Sequence, residues 1–305
     1  MRFMDKTILE NKINISKTPR IGIMDVGGGM RDVYGAGVID YLLDNHIYLP
    51  YSIGISAGAG NLASYVGRQR GRNLAYYEEY SGRPEYMSRK TLFRTGSYLD
   101  LDYVYGVLCN EGGEYPLDYT TMMRHPESEF VIAATDADTA KTVYFTKDDI
   151  ERNNYWVLKS SSCIPIICRP VHHDGHSYYD GGIVTPVPYK KAFDDGCDIL
   201  IIVLTLPVDL RLPLDKNRRF FPLLKKKYPN MLPALMTRHN QYNGAIEHLL
   251  ANEIPAGKVF FIAPDDTCGM NTLTSDPKKM HELYLKGYHD GQKAERIISE
   301  AYGKA

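Results

Sequence analysis

The amino-acid sequence has no apolar run long enough to cross a lipid bilayer. A membrane-spanning helix needs roughly 18 or more apolar residues in succession, and the 305-residue chain contains no such run. The N-terminal segment also lacks the apolar stretch and the small-residue cleavage site of a secretory signal. We therefore expect no transmembrane segment and a cytoplasmic location, with any membrane contact at the periphery.

Cysteine patterns and a strong net charge are missing as well. The five cysteines are scattered, odd in number and without a CxxC pair, which is typical of reduced thiols rather than of a disulfide framework. The formal net charge is −1, so the overall charge gives no reason to expect nucleic acid as a partner. With 44% hydrophobic residues, the chain is able to bury a large core without disulfides or metals.

Short apolar runs suited to β-strands alternate with stretches long enough for helices. The runs cover residues 20–26, 51–55, 130–135, 142–145, 198–206 and 258–263. Several of them are apolar on both faces, a pattern typical of parallel strands that helices cover on two sides. We predict an α/β fold with a mostly parallel central sheet.

The chain divides into three predicted parts. Residues 1–19 form an N-terminal arm, residues 20–206 form the α/β core, and residues 207–305 form a mainly helical region that packs on the core. This C-terminal region includes one further strand near residues 258–263. A closing helix is expected over residues 275–302, with the serine at its start as the cap.

A lone serine stands among small residues after the second predicted strand. The segment Gly54-Ile55-Ser56-Ala57-Gly58 follows an apolar stretch and precedes helix-forming residues, which is the strand–turn–helix context of a G-x-S-x-G nucleophile elbow. Glycines on either side leave room where the chain turns sharply, so that the hydroxyl projects from the sheet edge. The pattern predicts Ser56 as a nucleophile, with a tight structural turn as the alternative.

Three consecutive glycines follow the first predicted strand in the same way. Gly27, Gly28 and Gly29 let the backbone present its N–H groups to a ligand, and acyl transfer needs such donors for the developing oxyanion. A phosphate loop is the competing interpretation. It is the poorer one, because the glycine spacing gives neither G-x-G-x-x-G nor a following Gly-Lys-Ser/Thr.

A serine nucleophile needs a base to take its proton, and Asp180 is the candidate. Asp174-Gly175 predicts a two-residue hairpin turn, and the second arm of that hairpin leads to Asp180 and the Gly181-Gly182 pair. Partial burial raises the pKa of a carboxyl group and makes it a better base. On local sequence alone, an aspartate that only shapes a loop is the alternative.

Three histidines flank the same hairpin turn and allow two other interpretations. One of His172, His173 and His176 as base would complete a Ser–His–Asp triad, but in α/β-hydrolases the histidine follows the acid in the chain. As metal ligands they lack a clear fourth partner, although Asp174 is near in sequence. We expect an exposed hairpin here, and no metal or other cofactor.

The motifs taken together resemble the patatin-like phospholipase family, particularly its bacterial cytoplasmic members. The resemblance rests on three segments in this order: Gly27-Gly28-Gly29-Met30-Arg31, Gly54-Ile55-Ser56-Ala57-Gly58 and Asp180-Gly181-Gly182. It extends over about residues 20–190. It implies a three-layer α/β/α fold, a Ser–Asp dyad in place of a triad, and hydrolysis of lipid acyl esters.

The resemblance also implies a role for each matching position. Ser56 is the nucleophile and Asp180 the base, and the amides of Gly28 and Gly29 form the oxyanion hole. Gly27 allows the turn of that loop, and positive charge nearby comes from Arg31. Supporting positions in the elbow and after the base are Gly54, Ala57, Gly58, Gly181 and Gly182.

Asp32 departs from the family pattern, which often has glycine after the motif arginine. We expect its carboxylate to temper the positive field of Arg31. The chain is thus predicted to be a carboxylic ester hydrolase of lipids that works through an acyl-enzyme. Two alternatives stay open: a thioesterase or acyltransferase with the same dyad, and a catalytically silent lipid-binding module.

A basic segment over residues 216–227 is the remaining candidate for a partner surface. It interleaves lysine and arginine with phenylalanine and leucine, a pattern suited to docking on an anionic membrane. A solvated face whose apolar residues pack on the domain is the other interpretation.

Overall fold

The computed structural model describes residues 18–251 and 258–303. Most of the predicted N-terminal arm, residues 1–17, lies outside the described residues. The strands are β1 (Ile21–Asp25), β2 (Tyr51–Ile55), β3 (Glu129–Asp136), β4 (Lys141–Thr146), β5 (Val171–His173), β6 (His176–Asp180), β7 (Ile199–Val203) and β8 (Lys258–Ile262).

Ten α-helices accompany these strands within the described residues. They are α1 (Val33–Asp44), α2 (Ala57–Val66), α3 (Arg72–Ala75), α4 (Arg89–Thr95), α5 (Tyr119–Arg124), α6 (Trp156–Ser162), α7 (Tyr189–Asp194), α8 (Met231–Leu250), α9 (Pro277–Asp290) and α10 (Gln292–Ala301). Shorter 3-10 segments cover Gly29–Asp32, Lys147–Asp149, Gly181–Ile183 and Arg218–Leu224, and π-helical turns cover Tyr76–Tyr80 and Tyr103–Leu108. None of the described helices is both long and apolar enough to cross a membrane.

The strands form one mixed sheet in the order β5-β6-β3-β2-β1-β7-β8, with β4 also paired to β3. Five consecutive strands of the sheet are parallel to one another, namely β3, β2, β1, β7 and β8. Strands β4, β5 and β6 run antiparallel to the strands they pair with. The mostly parallel sheet predicted from the sequence is therefore confirmed. The predicted hairpin is confirmed as well, since β5 and β6 pair through Asp174 and Gly175, which both have positive φ angles.

Side chains alternate between the two faces of the sheet and enter two separate cores. Along β7, Ile199, Ile201 and Val203 join one core, while Leu200 and Ile202 join the other. Helices α1, α2, α6 and α9 cover the first face, and α7 and α8 cover the second. This arrangement is the three-layer α/β/α fold that the resemblance implies.

The closing helix differs from the expectation in two respects. Asp276, not Ser275, caps it, because the Asp276 carboxylate accepts a hydrogen bond from the Lys278 amide (3.1 Å) while the Ser275 hydroxyl lies 3.2 Å from that of Ser81. The helix is also divided at Gly291, where a methyl group would overlap the Tyr41 ring.

Helices α1 and α9 approach each other backbone to backbone. A methyl group on Gly37 of α1 would overlap the carbonyl of Tyr284, and one on Gly287 of α9 would overlap the carbonyl of Tyr34. Both positions have ordinary helical φ angles, so it is close approach that requires glycine there. This contact joins the C-terminal region to the helix that follows the glycine loop.

We expect Gly37→Ala to destabilise the protein by about 1–3 kcal/mol, because overpacking separates the two helices. Gly244→Ala on α8 is the matched control. Its added methyl group meets nothing within 4 Å, so alanine should stabilise that helix by about 0.5–1 kcal/mol. Urea unfolding of the two variants measures the difference, and equal midpoints would contradict the close helix contact.

Candidate active site

Ser56 occupies a strained turn between β2 and α2. Its φ and ψ angles are 56° and −131°, a backbone conformation that non-glycine residues rarely adopt and that functional sites retain. Methyl groups at Gly54 and Gly58 would overlap the backbone of Ala59 and of Asp25, respectively. The Ser56 amide donates to the Ser161 hydroxyl (2.9 Å). These features are the geometry of a nucleophile elbow.

The sheet brings Asp180 to this turn because two strands share one edge of β3. Strand β2 pairs with β3 as far as Ile55 opposite Ala133, and β6 pairs from Asp180 opposite Ala134. Strand β4 occupies the other edge of β3 over the same residues, so β2 and β6 follow one another along a single edge. Their ends meet, and the residues at the two ends become neighbours.

The carboxylate of Asp180 accepts a hydrogen bond from the Gly182 amide (2.8 Å), and the Ser56 hydroxyl lies close enough to it to lower its pKa. Burial raises the pKa of Asp180, whereas the Ser56 hydroxyl, the Arg238 charge and the Gly182 amide all oppose that rise. The net pKa is above the usual value for aspartate. Ser56 and Asp180 are both less than a tenth exposed, so their contact is shielded from bulk water.

The glycine loop presents free amides beside this pair. The Gly27 amide donates to Asp25 (3.0 Å), and the Met30 amide donates to the Thr272 carbonyl (3.0 Å). Between them, the amides of Gly28 and Gly29 donate to no acceptor among residues 18–251 and 258–303. Unused N–H groups next to a serine are what an oxyanion requires.

Two guanidinium groups stand near the loop. One is Arg31, whose Nη2 lies beside Gly28 and whose Nη1 donates weakly to the Thr272 hydroxyl (3.4 Å), while its buried Nε finds no partner in the described part of the chain. The other is Arg238 on α8, whose Nε donates to the Gly182 carbonyl (2.8 Å). Burial, and after it the Arg238 charge, lower the pKa of Arg31.

The side chain of Asp32 is fully buried near Asp25, and neither of its oxygens has a hydrogen-bond partner in the described residues. Burial and the Asp25 charge hold its pKa well above the usual range, while the Arg31 charge opposes that rise. That the Asp32 carboxylate tempers the field of Arg31 stays a prediction. Asp25 also accepts from Asn61 (3.1 Å), and burial raises its pKa to about 6.

A cavity extends from Ser56 along one side of α2. The cavity volume, counted as the space that the centre of a water molecule can occupy, is about 80 Å³. One water needs roughly 10–15 Å³ on the same measure. Leu99, Leu101, Val104 and Ile164 supply apolar walls, and Tyr76, Tyr77, Tyr86, Tyr105, Asn73 and Arg72 supply polar atoms. The cavity is suited to the acyl part of a substrate.

The three hairpin histidines have partners of their own. His172 lies 3.0 Å from the Ser177 hydroxyl, His176 lies 3.1 Å from Asp136, and His173 stacks on the Trp156 ring. None of these partners belongs to the Ser56–Asp180 pair. Across the described ranges, no three His, Cys, Asp or Glu side chains are grouped so as to hold a metal ion.

The structure thus brings together Ser56, Asp180 and the glycine loop, and it adds residues that sequence reasoning missed. These are Asp25, Asn61, Ser161, Thr205, Arg238 and Thr272. The Thr205 hydroxyl, for example, donates to the Gly27 carbonyl (2.8 Å) and so fixes the loop to the residue after β7. Asp25 was visible in the sequence as an acid inside an apolar strand, but no local signal marked Arg238 or Thr272.

Comparisons with known proteins match two families to different parts of the chain. The family described as Patatin-like phospholipase matches residues 26–193. A domain of unknown function, DUF6363, matches residues 228–302. The first range contains Ser56 and Asp180, and the second contains Arg238 and Thr272.

Two individual proteins are also similar to this chain. Uncharacterized protein YjjU of Escherichia coli K12 is 28% identical over 273 residues, which cover 87% of this chain and 71% of that protein. The crystal structure of VipD from Legionella pneumophila aligns with a TM-score of 0.45 and 13% identity, over 91% of this chain and 66% of that chain.

Asp32→Asn should stabilise the protein, increasingly as the pH rises. The native state keeps a proton on Asp32 that the unfolded chain releases near pH 3.8, so wild-type stability falls by about 1.4 kcal/mol per pH unit above that value until Asp32 ionises. An asparagine amide donates to Asp25 without this loss. Chemical unfolding from pH 4 to pH 9 measures the growing difference.

Asp25→Asn is the matched control for this prediction. Asp25 accepts hydrogen bonds from Gly27, Asn61 and Asp32, so its amide variant places an N–H group against donors and should be less stable than wild type at neutral pH. If Asp32→Asn is the less stable variant at pH 8, Asp32 is an ionised partner of Arg31 and the assignment of the proton is wrong.

Proposed function

The chain belongs to the patatin-like phospholipase family, and we propose that it is a serine acyl hydrolase that cleaves carboxylic esters of lipids. The observation that carries the proposal is that Ser56, in its strained turn, and the buried carboxylate of Asp180 meet where β2 and β6 end against each other on β3. Family membership supports lipid acyl hydrolysis, and the cavity beside Ser56 supports an apolar acyl chain as the part of the substrate that is bound.

In the proposed mechanism, the Ser56 oxygen attacks the ester carbonyl while Asp180 takes its proton. The negative charge that develops on the carbonyl oxygen is held by the amides of Gly28 and Gly29, with Arg31 nearby. The ester bond then breaks, and the leaving alkoxide takes the proton from Asp180. Water then attacks the acyl-enzyme and loses a proton to the same carboxylate, the bond between the acyl carbon and the Ser56 oxygen breaks, and that oxygen takes the proton back from Asp180 as the free acid leaves.

The environment of Asp180 suits the role of base without a histidine. Burial raises its pKa, which increases its proton affinity, while the Ser56 hydroxyl, the Arg238 charge and the Gly182 amide favour the ionised form. The same amide fixes the orientation of the carboxylate. A third residue that orients the base, as in a triad, is then unnecessary.

Loss of either member of the pair should abolish turnover. We expect Ser56→Ala to abolish labelling by a fluorophosphonate probe, and we expect Ser56→Ala and Asp180→Asn each to lower kcat for a short-chain chromogenic ester by roughly 10³-fold or more. Mass mapping of the labelled peptide identifies the nucleophile. Transfer of the acyl group to added alcohols or thiols, measured alongside, separates hydrolysis from acyltransfer.

Ser160→Ala and Asp174→Asn are the controls for these two variants. Ser160 is buried and its hydroxyl has no partner in the described residues, and Asp174 is exposed at the hairpin turn. Both controls should label and turn over like wild type. A folded wild-type protein that neither labels nor hydrolyses any ester would leave the silent lipid-binding module as the better interpretation.

We further propose that the segment over residues 216–227 contacts anionic membranes, with a cytoplasmic location as the setting. Leu223 is 72% exposed, whereas Phe221 is buried and Leu224 packs on the core. Apolar residues of the segment thus both anchor it to the domain and point outward among Lys225, Lys226 and Lys227. This arrangement supports surface binding through charge and one apolar contact.

Replacement of Lys225, Lys226 and Lys227 by glutamate should therefore reduce sedimentation with anionic vesicles by roughly tenfold or more, since each lysine near such a surface contributes about 1 kcal/mol. In the control variant, glutamate replaces the exposed Lys141, Lys278 and Lys279, and this variant should sediment like wild type. Equal losses in both variants would indicate a general charge effect and no specific membrane segment.

A further inference from the structure

The cavity beside Ser56 reaches a buried positive charge. Arg72 is only 4% exposed, and it lines the cavity. Its guanidinium donates to four acceptors, none of them a carboxylate, namely the Ser64 hydroxyl (3.0 Å), the Tyr76 hydroxyl (2.9 Å), the Cys109 sulfur (2.8 Å) and the Tyr115 carbonyl (3.3 Å). Within the described residues, no carboxylate forms an ion pair with it.

Arg72 differs from the paired arginines of this chain because it is buried. Arginines that are paired with a carboxylate at more exposed positions are Arg20, Arg70, Arg83, Arg94, Arg152 and Arg211. A buried charge without an opposite charge is far less favourable than an exposed one. Arg72, the buried arginine, therefore has no carboxylate to balance its charge, and it lies in the wall of the cavity.

A second polar group at the same cavity is unused. The hydroxyl of Tyr86, which is 6% exposed, makes no hydrogen bond to any described residue. Tyr86 and Arg72 both line this cavity. A guanidinium without a carboxylate partner and a phenol without a hydrogen-bond partner are suited to the oxygens of a carboxylate.

The distance from Ser56 to Arg72 is bridged by helix α2. Ser56 caps this helix and Ser64, which accepts from Arg72, lies eight residues further, or about 12 Å along the axis. Gly60 lies between them, and there a methyl group would come within 3.0 Å of the Tyr105 hydroxyl. A chain bound along α2 thus has its reacting end at Ser56, passes apolar walls, and ends at a cation.

Resting on the proposed acyl hydrolysis, we propose that the cavity selects acyl groups whose far end carries a carboxylate. The substrates are then half-esters of dicarboxylic acids, and Arg72 and Tyr86 are the residues that determine this specificity. Ser56 attacks the ester carbonyl and releases the alcohol, and water releases the free dicarboxylic acid. The far carboxylate takes no part in bond making and supplies the missing counter-ion of Arg72.

The test compares 4-nitrophenyl half-esters of straight-chain dicarboxylic acids, from succinate to sebacate, with the same compounds methyl-capped at the far carboxylate. For wild type, kcat/KM should favour the free acid over its capped form by roughly tenfold or more at the best chain length, because the cap removes the charge that Arg72 attracts. Arg72→Gln should abolish this preference. Tyr86→Phe should reduce this preference severalfold, measured as the ratio of kcat/KM for the free acid to kcat/KM for its capped form.

Tyr86→Phe also tests whether misfolding, rather than loss of the charge, explains the result for Arg72→Gln. The guanidinium of Arg72 makes several buried hydrogen bonds, so its variant is checked by circular dichroism and unfolding, whereas Tyr86→Phe removes an oxygen that no described residue contacts. A wild-type preference for the capped esters, or a preference for the free acids that both variants retain, overturns this inference. Labelling of Ser56 and turnover of the capped esters would still leave the proposed hydrolysis intact.

Failure of the hydrolysis itself is distinguished by binding. In the Ser56→Ala variant, monomethyl esters of the same dicarboxylic acids should raise the Tm, and this rise should be lost when Tyr86→Phe or Arg72→Gln is added. If no ester is hydrolysed but the Tm shift follows this pattern, the carboxylate site stands and the reaction is wrong. If the capped diesters raise the Tm equally, the carboxylate site is wrong.

Discussion

The shared edge of β3 is the constraint on which the candidate site depends. Strand β4 fills one edge of β3, so β2 and β6 have to use the other edge in succession, one parallel and one antiparallel. The two strands end against each other, and the chain must leave both ends sharply. This explains the positive φ angle of Ser56 and the 3-10 turn that follows Asp180. Backbone pairing thereby holds two residues that are far apart in the chain next to each other.

The C-terminal region contacts the candidate site directly. Its loop supplies the Thr272 carbonyl that fixes the Met30 amide, and its long helix α8 supplies Arg238, which contacts the carbonyl of Gly182. Helix α9 packs directly on α1, the helix that follows the glycine loop. The C-terminal region therefore contacts both the glycine loop, through Thr272, and the turn after Asp180, through Arg238. The boundary between a core and a C-terminal region stays a prediction about the chain, but the site itself draws on both.

A structural feature can be predicted from the sequence when the residues that determine it are neighbours in the chain. The elbow, the glycine loop and the Asp174-Gly175 hairpin are short segments whose conformations follow from their own residues, and the structure places all three where the patterns indicate. Strand ends shift by a few residues. Thr272 and Arg238 act through contacts whose partners are distant in sequence, so nothing local reveals them. The environment of Asp32 was hidden as well, because an exposed carboxylate and a buried one look the same in a sequence, whereas burial and the Asp25 charge raise the pKa of this one.

In the proposed mechanism, base strength and oxyanion stabilisation come from different groups. Burial raises the pKa of Asp180, and the Ser56 hydroxyl, the Arg238 charge and the Gly182 amide oppose that rise. The amides of Gly28 and Gly29 lie in a loop that Asp25, Thr205 and Thr272 already hold, so the proposed oxyanion hole needs no reorganisation. Because neither contribution requires a histidine, the proposed dyad needs only two residues.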